Sequence, residues 1–142
     1  MIYIVSADPM KSAKVLDDKT LEQTIEKTVF ILKTAMYEQS EDPLILWTKK
    51  TDSNYWWMFQ YFNSLNREYY LRNKISHKSM KIVTELRDGV ELIPSGPTTA
   101  FVNATRIKKY SNVYEAYQKA LVNKWKKERP RWKNASPPEW YK

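Results

Sequence analysis

Asp18-Lys-Thr-Leu-Glu-Gln-Thr-Ile-Glu-Lys-Thr-Val-Phe-Ile-Leu-Lys-Thr-Ala-Met-Tyr37 carries apolar side chains at Leu21, Ile25, Val29, Leu32 and Met36. Spacings of three and four put these on one face of a helix. Upstream, Asp8-Pro9 reads as a helix start, with Asp as N-cap and Pro at the first helical position. That helix breaks or continues near Asp17, and residues 2–6 are β-prone but short. Downstream, Ser40 to Pro43 is a loop, and Leu44 to Thr48 is an apolar run able to begin another helix. Asp52-Ser53 caps a helix over Asn54 to Arg72, with aromatic residues in almost every direction around it. Ser76-His-Lys-Ser79 opens a helix to about Leu86, residues 87–105 form a long loop, and Ser111 to Lys127 is the last strong helix. The tail from Arg129 holds three prolines and reads as extended. These elements predict an all-α single domain over residues 1–142, with a long loop and an extended C-terminal tail.

Composition narrows the function. The chain's 142 residues include only two glycines, Gly89 and Gly96. Neither a turn-rich β-sandwich nor a glycine-rich phosphate loop can be written with so few. There is no cysteine, which removes disulfides, thiol catalysis and thiolate metal sites, and fits a reducing cytoplasm. A single His77 cannot build a histidine-rich metal site, so neither metal nor cofactor is expected. No apolar run approaches a membrane span, and the N-terminal residues lack the basic-then-apolar pattern of a signal peptide. The net charge of +8 favours a polyanionic partner: DNA, RNA or an anionic membrane surface.

The strongest local signal is Lys124-Trp-Lys-Lys-Glu-Arg-Pro-Arg-Trp-Lys133, where six cations alternate with Trp125 and Trp132. Cations neutralise phosphates and tryptophan offers a stacking face to an unpaired base; the alternative is a solvated helix end whose tryptophans pack inward. The candidate DNA-binding set is Arg106, Lys108, Lys109, Lys126, Lys127, Arg129, Arg131, Trp132 and Lys133. On the Asp18 helix, Lys19 and Glu26 flank the apolar stripe two turns apart, with Glu22 and Gln23 between them. A carboxylate at a core edge can shuttle a proton or stabilise a cation, and an amine can act as nucleophile. By spacing alone these are more often plain surface residues. His77 and Lys78 stand at a helix start, where free N–H groups favour phosphate. Asn103 can read a base edge or cap a turn, and Asn54 completes the candidate substrate-binding set.

Asp18-Lys-Thr-Leu-Glu-Gln-Thr-Ile-Glu26 and Glu128-Arg-Pro-Arg-Trp-Lys133 resemble two segments of the phage pyrimidine-dimer DNA glycosylase family, the endonuclease V type. Glu26 falls at the place of that family's catalytic glutamate, Lys19 at that of its active-site histidine, and the tail motif at a DNA-holding segment. Asp8-Pro9 and His77-Lys78-Ser79 are similar to small phage proteins given the same label. The resemblance implies duplex DNA as partner and glycosidic cleavage at a damaged or modified pyrimidine, with an abasic-site lyase step where an amine attacks. The family's nucleophile is the amine of a threonine exposed by removal of Met; here residue 2 is Ile, so the Met1 amine, Lys19 or water takes that place. A non-catalytic nucleic-acid-binding module is the alternative reading of the same features.

Overall fold

In a computed structural model of the chain, residues 1–141 are described and form an all-α domain of six α-helices, without strands among them. α1 spans Pro9–Lys14, α2 Asp18–Tyr37, α3 Pro43–Lys50, α4 Asp52–Asn73, α5 Val83–Asp88 and α6 Val113–Lys126. Short polar side chains start most of them. The Asp8 carboxylate accepts from Met10 N–H at α1, and that of Asp42 from Leu44 and Ile45 N–H at α3. Thr51 caps α4 through Asn54 N–H, and Asn112 caps α6 through Tyr114 N–H. Each such cap stabilises by about 1 kcal/mol. The expected cap at Asp52-Ser53 is therefore displaced to Thr51. Asp52 and Ser53 instead hold the following loop, accepting from Gly96 N–H and donating to its carbonyl. α4 ends where Lys74 turns left-handed at φ 62°.

α2 and α4 pack together at the centre, with α1 against α4 and α3 across both. Leu21, Ile25 and Leu32 are buried as the periodicity requires, but α2 also buries a file of threonines. Thr24 donates to the Thr20 carbonyl and Thr28 to the Thr24 carbonyl, so these hydroxyls are satisfied within the helix. Residues 2–6 pair with no strand. They run extended into the core, with Ile2 and Ile4 fully buried, and Tyr61 and Trp57 of α4 donate to the carbonyls of Tyr3 and Ala7. β-propensity here reflects fit to a buried extended segment rather than a sheet.

The expected helix from Ser76 is shorter: a 3₁₀ turn over Lys78–Ile82 precedes α5, and a second spans Gly89–Leu92. Gly89 is buried, because the Met36 sulfur and the Tyr55 hydroxyl fill the space a Cβ would need. The irregular stretch thus runs from Ile93 to Asn112, later than the expected 87–105.

The C-terminal tail is extended but strapped down. The Arg131 carbonyl accepts from Asp18 N–H, Lys133 N–H donates to the Asp18 carboxylate, and Asn134 donates to the Arg72 carbonyl. Beneath it lies Arg72 with no exposed surface. It is paired to Asp18 at 3.1 Å and Glu68 at 2.8 Å, and donates to the Lys14 carbonyl.

Candidate functional site

Glu22 and Glu26 are four residues apart on α2, so their side chains share one face of the helix. Both are exposed. His77 faces them from the loop after α4, and one ring nitrogen lies within 4.8 Å of a carboxylate oxygen of each glutamate, as those oxygens do of each other. His77 itself is 5% exposed and stands edge-on to Tyr69. Its Nδ1 caps the 3₁₀ turn, accepting from Ser79 N–H at 3.0 Å and lying 2.9 Å from Ser79 Oγ. Ser79 Oγ donates in turn to Asn66 Oδ1 at 3.2 Å, and Asn66 Nδ2 donates to the Phe62 carbonyl at 3.0 Å. With Nδ1 engaged, Nε2 is the nitrogen left for the carboxylates. Burial lowers the His77 pKa below its ordinary 6.5, against the raising influence of Glu22 and Glu26. Glu26 and His77 border an open cleft of about 460 Å³, with Val29, Lys78, Ser79, Lys81 and Ile82.

Cations line two further grooves that meet at Glu128. Lys19, Arg129 and Arg131 border one; Arg106, Lys124 and Lys127 border the other, together with Met1. The Met1 amine is pushed down to about 5, first by burial and then by Lys27, which also donates to the Met1 carbonyl. Lys124 pairs with Glu128 at 2.8 Å and holds that carboxyl below its ordinary range. Among the described residues, Arg72, Arg87 and Lys124 are the cations found in ion pairs. The groove of Lys19, Arg129 and Arg131 also carries Asp17, Asp18 and Glu128, whereas among the described residues Glu128 is the only carboxylate bordering the groove of Arg106, Lys124 and Lys127.

Several sequence expectations are corrected here. Glu26, Lys19 and Met1 do not share a cavity: Glu26 borders the His77 cleft, Lys19 the Arg129–Arg131 groove, and Met1 the Arg106 groove. Asn54 is fully buried and spends its amide on the Trp47 carbonyl and on Thr99, so it reaches no ligand. Asn103 closes its own turn, accepting from Thr105 and donating to the Ile107 carbonyl. Lys108 bends back to the Asn103 carbonyl. Trp125 and Trp132 are not stacking faces. Trp125 is 1% exposed and donates to Asp17 at 2.7 Å, while Trp132 packs edge-on against it and donates to the Val15 carbonyl. His77 and Lys78 do stand together at a turn start, as expected, but the ring nitrogen occupies the N–H group that a phosphate would need. Lys109, Lys126 and Lys133 are exposed, and Lys109 lies over the Tyr110 ring.

Two features escaped the sequence reading. Glu22 stands with Glu26 and His77; its spacing of four from Glu26 was the available signal. Trp56 is the exposed tryptophan, bordering a groove of about 540 Å³ with Trp57, Asp52, Ser53 and Gln60.

The fold and site define a small all-α protein with a two-glutamate, one-histidine cluster beside a cleft that Lys78 and Lys81 line. Comparisons with family models, with curated proteins and with solved structures returned no match. No helix of the described residues is long and apolar enough to cross a membrane.

Proposed function

We propose that the chain binds duplex DNA and acts as an N-glycosylase on damaged or modified pyrimidines, with Glu26 stabilising the cationic sugar. The observation that carries this reading is the convergence of Glu26 with Glu22 and His77, Glu26 and His77 bordering a cleft that Lys78 and Lys81 also line. Breaking a C1′–N bond builds positive charge on the sugar, and a fixed carboxylate offsets that charge more in the transition state than in the ground state. The unpaired cations of the neighbouring grooves would neutralise backbone phosphates along the strand. Extruding a base costs a few kcal/mol; the exposed Trp56 borders a different groove from this cleft and is not placed to stack against the gap.

The position of Glu26 also bears on the nucleophile. Lys19 and the Met1 amine border other grooves, so water attack without a covalent adduct fits the cleft better; the amines that border it are Lys78 and Lys81. The test is formation of an alkali-labile abasic sugar, read as strand cleavage after alkali, in duplexes with and without a cyclobutane thymine dimer, with a preformed abasic duplex as the lyase control, each with and without borohydride. The expected result is a dimer-dependent alkali-labile site without a trapped adduct, the excised thymine staying tethered to its neighbour through the cyclobutane ring; the site is lost in Glu26→Gln while binding persists. Salt-sensitive binding with no alkali-labile site formed at the dimer would sink the enzymatic reading and leave a nucleic-acid-binding module.

A further inference from the structure

The Glu22–Glu26–His77 cluster lacks what ordinarily stabilises such a grouping. Two carboxylates four residues apart on a helix repel each other. Neither is ion-paired to a lysine or arginine among the described residues, although Lys78 and Lys81 border the same cleft. His77 adds a nearly buried imidazole whose Nε2 makes no hydrogen bond among the described residues.

The surroundings of His77 offer partners for either tautomer. A histidine that ligates a metal commonly donates its other ring N–H to a polar partner, which fixes the tautomer and the ring plane. Here the chain of partners has a direction. Asn66 spends its N–H on the Phe62 carbonyl, which leaves Oδ1 to accept the Ser79 hydroxyl proton. Ser79 Oγ is then an acceptor 2.9 Å from Nδ1. Ser79 N–H reaches the same nitrogen and favours the opposite tautomer. A cation on Nε2 selects the Nδ1–H form, with Oγ already placed to receive that proton.

We propose that Glu22, Glu26 and His77 bind a divalent first-row cation, such as Mn²⁺ or Zn²⁺, through one carboxylate oxygen each and His77 Nε2. The donor set of two carboxylates and one imidazole suits this class better than Ca²⁺ or Mg²⁺, which take oxygen ligands. Donors bonded to one ion at about 2.0–2.2 Å stand about 3–3.5 Å from one another, so atoms now within 4.8 Å need only draw slightly closer. Both glutamates are exposed and can do so by rotating their side chains, with the backbone fixed. Three protein ligands leave the open side of the cleft for water or a substrate oxygen. The inference concerns the chain without DNA and shares Glu26 with the glycosylase reading: a cation bound there would have to leave before that carboxylate could offset a cationic sugar, so metal binding can fail or hold whatever the outcome of the glycosylase assay.

The experiment adds Mn²⁺ alone, followed by its electron paramagnetic resonance, and then Zn²⁺ as competitor. It also records the imidazole ¹⁵N spectrum as Zn²⁺ is added. With one histidine in the chain, that spectrum reports a single ring. The expected result is one ion per chain, displacement of Mn²⁺ by Zn²⁺, and a zinc-induced shift centred on Nε2. Glu22→Gln and Glu26→Gln should each weaken binding at least about tenfold, and Ser79→Ala by about 10–100-fold. Glu41→Gln, an exposed carboxylate outside the cluster, should leave binding unchanged. Absence of one-to-one binding, an unmoved His77 signal, or affinity unaltered in both glutamate variants would overturn the assignment. Both glutamates being exposed, those variants keep the fold, which a thermal melt verifies.

Discussion

Arg72 and Glu26 lie on neighbouring helices, and both are charged, yet their surroundings are opposite. Around Arg72, guanidinium, two carboxylates, a carbonyl and the returning tail satisfy one another with nothing left over. Around Glu26, two carboxylates and an imidazole converge with no cation found between them among the described residues. Abundance of charge therefore does not mark a site. The distinguishing feature is whether polar groups are closed on themselves or left open toward a cleft.

Charge removal should change stability in opposite directions at the two places. Arg72→Ala strands Asp18 and Glu68 and is expected to cost about 3–5 kcal/mol, read from urea denaturation. A loss under about 1 kcal/mol would mean that the Arg72 network is not the closed unit described. Trp132→Ala removes a ring packed on Trp125 and should cost about 3 kcal/mol. The salt dependence of DNA binding should stay the same, whereas Arg131→Ala should spare stability and lower the salt slope by about 0.9. If Trp132→Ala weakened DNA binding in a stable protein, the tail would belong with the open surfaces after all.

Acid should sharpen the contrast. His77 has a folded-state pKa below its ordinary 6.5, so it holds fewer protons folded than unfolded. Its contribution is present above pH 6.5 and is lost as pH falls through the lowered value. Stability measured downward from pH 7 should decline in that window, and less so in His77→Asn. The smallest expected effect has the opposite sign. Glu22→Gln relieves carboxylate repulsion and should raise stability by about 0.2–0.5 kcal/mol without added metal. A loss of stability there would show that Glu22 is structurally paired.

Local chemistry made much of the fold legible. The α2 bounds, Asp18 to Tyr37, follow from the apolar stripe, and Pro9 marks the first position of α1; Pro43, read as the end of a loop, is instead the first residue of α3. What escaped depends on partners distant in sequence. Nothing near Arg72 announces burial against Asp18, and Asn54 reads as a surface polar residue until Trp47 and Thr99 surround it. The candidate site was half legible. Glu26 and His77 stood out singly, but their meeting depends on the turn after α4 folding back over α2. Trp132 misled because alternating tryptophan and lysine has the same local pattern whether the ring faces solvent or Trp125.

The strap formed by Arg131 and Lys133 joins residues 115 positions apart at its Lys133–Asp18 bond. Closing so long a loop carries an entropic cost that grows with its length. The helical core has nearer partners, so it should assemble first, with the tail docking as a late event that leaves folding rates largely unchanged. Loss of the strap would then act through faster unfolding. Kinetic resistance to proteases, more than the speed of folding, would be what these last residues confer.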